Sequence, residues 1–315
     1  MWGIGSSGRK FPAWSCNPGF CDTTGLTLRN LCLFVSHRVI VCNNKTILKG
    51  EINMKFDTEV GFSQTDKISV HGYDLVEDLM GNITLADMAF LGAKHKKPTE
   101  NESKMLNAIM VSICEHGFTP SSISARLTYL GAPEAVQAAV AAGLLGAGTV
   151  YLGAMEQVAE MLEDGIRKHG SDKSASELAS LILNERMEQG SQLTGFGHPI
   201  HRPLDPRTGK LFEIAKELGF YKKNSETLTE ISSQLNERRG KPITLNAVGA
   251  IGAILADMEF DHRVMRSFAV AARAVGLVAH IVEEIETGRK ESVGQKLFDF
   301  IEENTNYKAE PIANQ

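Results

Sequence analysis

The chain lacks several features that assign a protein to a broad class at once. Only five of its 315 residues are cysteine, aromatic residues make up 7%, and no apolar run is long enough to cross a bilayer. Lys and Arg form no stripe interleaved with aromatic residues, and the net charge is -5. Stretches that alternate apolar and polar residues are scarce, which argues against a β protein. We therefore expect neither nucleic acid nor a membrane as partner, and a small molecule as ligand.

The first 53 residues differ from the rest in charge and cysteine content. The first fifty contain one acidic and six basic residues, and they hold four of the five cysteines (Cys16, Cys21, Cys32 and Cys42). This head is either an organellar transit segment or translated upstream sequence before a start at Met54, and we favour the second. Its cysteines have no partner pair at zinc-ligand spacing, so we predict no metal site. Because only Cys114 remains in the body, we expect a reduced, cytoplasmic protein.

The body has apolar residues at spacings of three and four, which predicts a nearly all-helical fold. Ser174 with Glu177 forms a capping box, Pro133 suits a first helical position, and Asp261 suits an N-cap. The small, apolar stretch 135–148 predicts a central helix packed on every side, with a possible break at its glycines. The predicted helices are 84–95, 101–116, 133–167, 175–189, 206–218, 225–239, 245–258, 261–287 and 292–304.

The segment from Gly195 to Arg207 carries the clearest chemical pattern. Its two glycines let the backbone approach a ligand closely, and its prolines stiffen the loop. Asp205-Pro206 is a pair that opens a helix, which places Arg207 in the first turn. There the free amide groups and the helix dipole add to the guanidinium in attracting an anion. The segment therefore predicts a carboxylate-binding site, although a charged turn without function is the alternative.

Five motifs occur in order along the body: SVHGYDL from Ser69, EHG from Glu115, GFGHPIHRPLDPR from Gly195, LNAVGAIG from Leu245 and AARAVGLVAH from Ala271. Together they resemble the citrate synthase superfamily, and its citryl-CoA lyase branch in particular, over roughly residues 68 to 288. The resemblance implies an all-α fold with a large helical domain (54–160 and 263–310), a smaller one (161–262) and an active cleft between them. It also implies a homodimer, and carbon-carbon bond chemistry between acetyl-CoA and oxaloacetate.

Residue by residue, the resemblance assigns roles to five side chains. His198 matches the histidine that hydrogen-bonds the oxaloacetate carbonyl, and His116 matches one that touches the same acid. Arg207 and Arg273 match carboxylate-binding arginines, and Arg202 falls where the family contacts the phosphates of coenzyme A. The alternatives are a helix cap for His116, a solvent-exposed charge for Arg202 and an ion pair with Asp257 for Arg273. His201 receives no role.

The chain departs from the family pattern at two positions. Val248 stands where the family has the aspartate that removes the methyl proton of acetyl-CoA, and a valine cannot accept a proton. Asp257 lies about two and a half helical turns further on, too far to replace that base. Tyr151 aligns with the histidine that hydrogen-bonds the enolate, and it acts either as a donor to that oxygen or as an aromatic anchor.

The sequence therefore predicts an enzyme of the citryl-CoA lyase or citrate synthase type, with lyase favoured over synthesis. Its substrates are a carboxylate and a coenzyme A thioester, and no permanently bound cofactor is expected. The main alternative is a citrate-binding or regulatory relative with weakened catalysis, because of Val248. A different carbon-carbon lyase, whose substrate brings its own acid or base, is a third hypothesis.

Overall fold

The fold is built almost entirely from helices, as the spacing of apolar residues predicts. The computed structural model describes residues 56–148, 150, 152–191, 193–306 and 308. The predictions about the first 53 residues, and about Met54, lie outside these ranges. The helices are α1 Leu85–Lys94, α2 Glu100–Cys114, α3 Pro120–Gly131, α4 Val136–Leu145, α5 Ala154–His169, α6 Ala175–Glu188, α7 Pro206–Leu218, α8 Lys223–Arg239, α9 Ala247–Asp257, α10 His262–Thr287 and α11 Val293–Glu303.

Local capping determines where several of these helices begin. Ser174 accepts the backbone N–H of Glu177 while the Glu177 side chain accepts that of Ser174, so the predicted capping box of α6 is confirmed. The predicted N-cap Asp261 accepts the N–H of Arg263 at the start of α10. The prediction for Pro133 is wrong, because α4 begins at Val136 and no side chain caps it.

Two helices differ from the predicted elements. The single helix expected over 133–167 is divided into α4 and α5, with the break in the glycine-containing stretch 146–153. The sequence did not predict α3, because the face that this helix buries is largely polar. Its buried residues include Ser121, Ser122 and Arg126, and the first of these donates its hydroxyl to the carbonyl of Gly143. Apolar periodicity cannot detect such a face.

The central helix is α9, and the prediction that residues 135–148 fill this role is wrong. Every residue of α9 except Val248 is buried. In α4 only Ala139 and Gly143 are buried, and Leu145 at its end is 88% exposed. A helix that is apolar all round is ordinarily buried, so the sequence of α4 gave no sign that most of its surface is left open in this chain.

Before the first helix the chain forms a small antiparallel sheet in the order β1 (Gly61–Ser63), β2 (Ile68–Val70), β3 (Tyr73–Asp74). Gly61 pairs with Val70, and Val70 with Tyr73. A π-helix, Leu75–Leu79, follows directly. The sheet is at most half-buried, in keeping with the expected scarcity of strands.

Apolar side chains form two clusters within the unit that begins at Thr58. The larger centres on Phe90, Phe260 and Phe268, whose rings meet edge to face with centroids 5.4 and 4.9 Å apart. The smaller joins α5, α6 and α8 to α9. The division into domains at residues 160 and 262 stays a prediction. None of the helices in the described ranges is both long and apolar enough to span a membrane.

Candidate functional site

The glycine-rich loop and the start of α9 are joined by a short ladder of hydrogen bonds. Phe196 and Leu245 form an antiparallel bridge, the N–H of Gly197 donates to the carbonyl of Thr244 (2.7 Å), and the N–H of Asn246 donates to that of Gly195 (3.0 Å). The Asn246 side chain caps α9 through the N–H of Gly249 and donates to the Gly197 carbonyl, 2.9 Å each. The loop that begins at Gly195 and the start of α9, fifty residues apart in sequence, therefore lie side by side and form one wall of the candidate site.

This wall faces a cavity of about 530 Å³ that collects most of the predicted site residues. Its lining includes His116, His198, Arg207, Val248 and Arg273, together with apolar side chains from α2 and from the segment before α5. Histidine and arginine donors in a partly apolar pocket suit a small, oriented carboxylate. The geometry thus brings together five of the seven residues that the sequence indicates.

The loop fixes the tautomer of His198. Its Nδ1 accepts the backbone N–H of Ile200 (3.1 Å) and of His201 (2.9 Å), so this nitrogen cannot carry the proton of the neutral ring. Burial, followed by the neighbouring charge of His201, lowers the pKa of His198, which favours the neutral form. The proton therefore lies on Nε2, and His198 acts as a hydrogen-bond donor from that atom.

His116 and His201 complete a cluster of three imidazoles. The ring centroid of His201 lies 4.4 Å from that of His198 and 5.4 Å from that of His116. Burial, and then the charge of Arg207, lower the pKa of His116, and its buried Nε2 has no partner among the described residues. His201, to which the sequence gives no role, thus supports His198 through its ring and its backbone N–H.

Asp205 holds Arg207 in place and was missed by the sequence analysis as a site residue. Its carboxylate accepts the Nε (3.0 Å) and Nη2 (2.8 Å) groups of Arg207 and the backbone N–H of Ala247 (3.0 Å). Burial alone would raise the pKa of Asp205, but these hydrogen bonds outweigh it and lower the pKa to about 2. One edge of the Arg207 guanidinium is therefore occupied, and its Nη1 makes a long contact with the carbonyl of Ser112 (3.5 Å). The residue still lines the cavity.

Arg273 has a guanidinium with fewer hydrogen-bond partners than that of Arg207. It is 5% exposed, and its Nε and Nη1 have no hydrogen-bond partner in the part of the chain that the structure describes. The alternative of an Arg273–Asp257 pair is wrong, because Asp257 instead accepts the backbone N–H groups of Lys222, Asn224 and Ser225 at the start of α8. Burial lowers the pKa of Arg273 while the negative charge of Glu115 opposes that effect.

The remaining predicted residues occupy different places. Val248 lines the cavity, as the alignment of motifs predicts, so an apolar side chain faces it at the position of the expected base. Arg202 is exposed and donates Nε to the carbonyl of His198 (3.3 Å), away from the cavity lining. Tyr151 lies outside the described residues, although its neighbours Val150 and Leu152 line the cavity. Its predicted role stays a prediction.

The three imidazoles lie close enough to suggest a metal site, with one ligand atom of each within 4.8 Å of the others. Their bonding argues against one. Nδ1 of His198 already accepts two N–H groups, and its Nε2 carries a proton where a metal would need a lone pair. The two arginines beside the cluster also repel a cation. The site fits an anion better.

Comparison with known proteins agrees with this geometry. Residues 61–293 match the family model described as citrate synthase, C-terminal domain. A putative citrate synthase 2 from Mycobacterium tuberculosis is 28% identical over 198 residues, which are 61% of this chain and 50% of that protein. A citrate synthase from Heyndrickxia coagulans is 27% identical over 198 residues, 62% of this chain and 50% of the relative. The chain thus spans about half the length of these relatives.

Comparison with solved structures covers a larger share of this chain than comparison with these sequences does. The citryl-CoA lyase from Hydrogenobacter thermophilus superposes with a TM-score of 0.71 at 31% identity, covering 82% of this chain and 97% of that enzyme. An ATP citrate lyase from Methanosaeta concilii, bound to (3S)-citryl-CoA, matches with a TM-score of 0.68 over 87% of this chain and 45% of its own. At 17% identity the second likeness shows the fold alone. The chain belongs to the citrate synthase family, and within it resembles a citryl-CoA lyase along nearly that enzyme's whole length.

Proposed function

We propose that this protein cleaves or forms the carbon-carbon bond between the acetyl unit of acetyl-CoA and oxaloacetate, through citryl-CoA or a close homologue. The observation that carries the proposal is the cavity where His116, His198, Arg207 and Arg273 converge. The substrates are a small carboxylate and a coenzyme A thioester, and no resident cofactor is needed. Cys114, the single cysteine of the body, is free, in keeping with a reducing, cytoplasmic setting.

In this reaction His198 polarises the oxygen that is the ketone of oxaloacetate and the hydroxyl of citryl-CoA. Its Nε2–H is held ready by the two backbone bonds to Nδ1. A fixed donor aimed at an oxygen where negative charge develops contributes about 3 kcal/mol. Because Nε2 carries the proton, His198 acts as a donor and not as the base that removes the hydroxyl proton.

The two arginines and His116 bind the carboxylates of the acid. Arg273 presents Nε and Nη1, which lack partners among the described residues, and Arg207 presents the N–H groups that Asp205 and the carbonyl of Ser112 leave. The neutral His116 supplies a further polar contact. Paired N–H donors match the two oxygens of a carboxylate, which orients the substrate as well as binding it.

Val248 favours cleavage over synthesis. Synthesis must remove a proton from the methyl group of acetyl-CoA, and a positioned base typically accelerates such a step by about a hundred to ten thousand fold. In cleavage, the hydroxyl proton passes to solvent water, and the electrons of that O–H bond form the ketone. The electrons of the carbon-carbon bond pass to the acetyl-CoA enolate, whose carbon then takes a proton from solvent. Cleavage therefore requires no carboxylate at position 248.

A paired assay of wild type and Val248→Asp tests this function. We expect wild type to convert citryl-CoA slowly to acetyl-CoA and oxaloacetate, and the variant to gain about a hundredfold in the synthesis direction. Free coenzyme A and acetyl-CoA are measured by chromatography. Val248→Leu is the control, because it fills the same space without a base. Turnover by Val248→Asp alone, with none by wild type, would rule out the enzymatic role.

The second candidate is a citrate-binding or regulatory relative, which the apolar side chain of Val248 in the cavity favours. Such a protein keeps the acid-binding residues but performs no thioester chemistry. Citrate at a hundred times its dissociation constant would then stabilise the fold by about 2.7 kcal/mol. A rise in melting temperature with citrate, together with no turnover, identifies this function.

Basic residues outside the cavity are available for the phosphates of coenzyme A. Arg202, the predicted contact, is exposed on the loop after His198. Arg186, Arg239 and Lys241 line a second cavity of about 450 Å³, which Phe196 of the same loop also borders. A nucleotide with several phosphates needs such a basic surface beside the reacting centre. We assign the phosphate contacts to this group.

We further propose that the chain forms a homodimer through α4 and α10. One face of α10 exposes Val275, Val278, Val282 and Ile285, which are 42–54% exposed. α4 packs against α10 where Gly143 meets Leu277, with no room for a larger residue, and it ends in the exposed Leu145. Contiguous apolar surface of this kind marks an interface between proteins. A second copy of the chain offers the matching apolar surface.

A further inference from the structure

Glu115 does not line the cavity, but its side chain bonds the segment that carries His116. It follows the last residue of α2, and its side chain Oε1 accepts the backbone N–H groups of both His116 (2.8 Å) and Gly117. Both bonds are made to the charged group of a carboxylate, which strengthens them. The orientation of the peptide that carries His116 is therefore set by Glu115.

The other oxygen of Glu115 faces α10. Arg273, Gly276 and His280 lie at spacings of three and four, on one face of that helix. A Cβ atom added at Gly276 would lie 2.0 Å from the carbonyl oxygen of Cys114 and 3.1 Å from Oε2 of Glu115. The end of α2 thus packs against α10 between Arg273 and His280, and only a glycine at position 276 allows this close approach.

His280 connects Glu115 to a buried ion cluster. Nε2 of His280 lies 2.9 Å from Oε2 of Glu115, off the line of an ideal hydrogen bond, while its Nδ1 accepts Nε of Arg126 (3.1 Å). Arg126 is 2% exposed and also binds Glu283 and Glu284. Because a guanidinium only donates, the proton of the neutral His280 ring lies on Nε2 and faces Glu115.

We propose that Glu115 is a positioning residue for the acid-binding site, acting on His116 through its backbone bonds and on Arg273 through its charge. The inference rests on the proposed binding of a carboxylate in the cavity. Glu115 offsets the burial of the Arg273 guanidinium without taking its Nε or Nη1, which have no partner among the described residues. His280, which Arg126 bonds through Nδ1, lies 2.9 Å from the same carboxylate.

Citrate affinity distinguishes a positioning role of Glu115 from a purely electrostatic effect of its charge. A carboxylate that only lies close to the site repels citrate, so its removal in Glu115→Gln would tighten binding. A positioning carboxylate gives the opposite result, because Gln accepts the two N–H groups less strongly than a charged oxygen does, and its amide N–H groups would face the N–H of His280. We expect citrate binding, measured by calorimetry, to weaken about tenfold in Glu115→Gln and further in Glu115→Ala.

Glu283→Gln is the matched control, because it removes the same charge from the outer edge of the same cluster. Its side chain is 55% exposed and bonds Arg126 without touching the loop of His116. We expect this variant to bind citrate like wild type. Circular dichroism and the melting temperature of each variant verify that it folds.

The ring resonances of His116 give a readout that needs no ligand. We expect Glu115→Gln to shift the imidazole signals that His116→Gln removes, while Glu283→Gln leaves them unchanged. Unchanged His116 signals, or citrate binding as tight as in wild type, would overturn the proposal. If wild type binds no citrate, the proposed function fails, and the His116 signals alone still decide whether Glu115 positions that residue.

Discussion

Asp205 and Asp261 occupy the same local pattern, an aspartate N-cap two residues before an arginine, with different surroundings. The side chain of Asp205 is fully buried, and it bonds Arg207 and the backbone N–H of Ala247. That of Asp261 is 41% exposed and bonds only Arg263 of its own helix. The sequence predicts both caps, because an N-cap is a local feature. It cannot predict that only Asp205 joins two helices and an arginine of the site.

The first prediction is that Asp205→Asn destabilises the fold in a pH-dependent way. The pKa of about 2 in the folded state lies below the ordinary value, so the stabilisation is present at pH 7 and is lost as the pH falls through about 4 to 2. We expect a loss of about 2 kcal/mol at pH 7, and a smaller difference from wild type near pH 3. Urea unfolding at the two pH values measures it.

Asp261→Asn is the control for this prediction, because its bonds are exposed to solvent and weakly stabilising. We expect it to unfold close to wild type at both pH values. Citrate affinity adds a second readout, since Arg207 loses its support only in Asp205→Asn. Equal unfolding curves for the two variants at pH 7 would contradict the assignment of Asp205.

Glycines determine how closely the elements of the site approach one another. Gly195 has φ +88°, and a Cβ there would lie 2.8 Å from Val158 Cγ2 and 3.0 Å from the Cα of Gly249. The loop before α7 and the first turn of α9 therefore touch through two glycines. The sequence indicates a close backbone approach at the loop, but it does not identify Gly249 as the surface approached. That pairing is a tertiary contact.

The second prediction is that Gly195→Ala and Gly209→Ala change stability in opposite directions. At Gly195 the positive φ and the contact with Gly249 leave no room for a methyl group, so we expect a loss of about 2 kcal/mol or more. Gly209 lies within α7 with no atom within 4 Å of an added Cβ, so alanine there should stabilise by about 0.5–1 kcal/mol. Thermal unfolding of both variants measures the difference.

Citrate affinity distinguishes the effect of Gly195→Ala, in the loop, from that of Gly209→Ala, in α7. Gly195→Ala displaces the segment that carries His198 and should weaken citrate binding, whereas Gly209→Ala should not change it. An unchanged affinity and melting temperature in Gly195→Ala would show that the loop does not pack closely against α9.

On the scale of the whole molecule, the prediction concerns assembly. Val278 and Val282 lie one turn apart on the exposed face of α10, where two carboxylates would meet their counterparts across a dimer axis. We expect V278D/V282D to be a monomer at concentrations where wild type is a dimer, as measured by light scattering or sedimentation. Met187→Asp is the control, because Met187 is 50% exposed on α6, outside the proposed interface.

A monomeric wild type would contradict the assignment of this face. So would a V278D/V282D variant that stays dimeric with an unchanged dissociation constant. The apolar surface of α4 also explains why the sequence placed that helix at the centre of the fold. Residues at the proposed interface have the composition of a core, and only the packing of α9 distinguished one from the other.

The sequence by itself determined the helical fold, the family and most of the residues that line the candidate cavity. These features depend on local patterns, namely apolar spacing and helix caps, and on motifs that occur in a fixed order. The motifs identify His198, Arg207 and Arg273, and they show the departure from the family at Val248. The tertiary structure decided which helix is central, that α3 exists, and that Asp205 and Glu115 bond the segments that carry the site residues. These features depend on buried polar hydrogen bonds and close backbone contacts between segments that are distant in the chain. Such interactions stabilise the fold but leave no periodic pattern in the sequence.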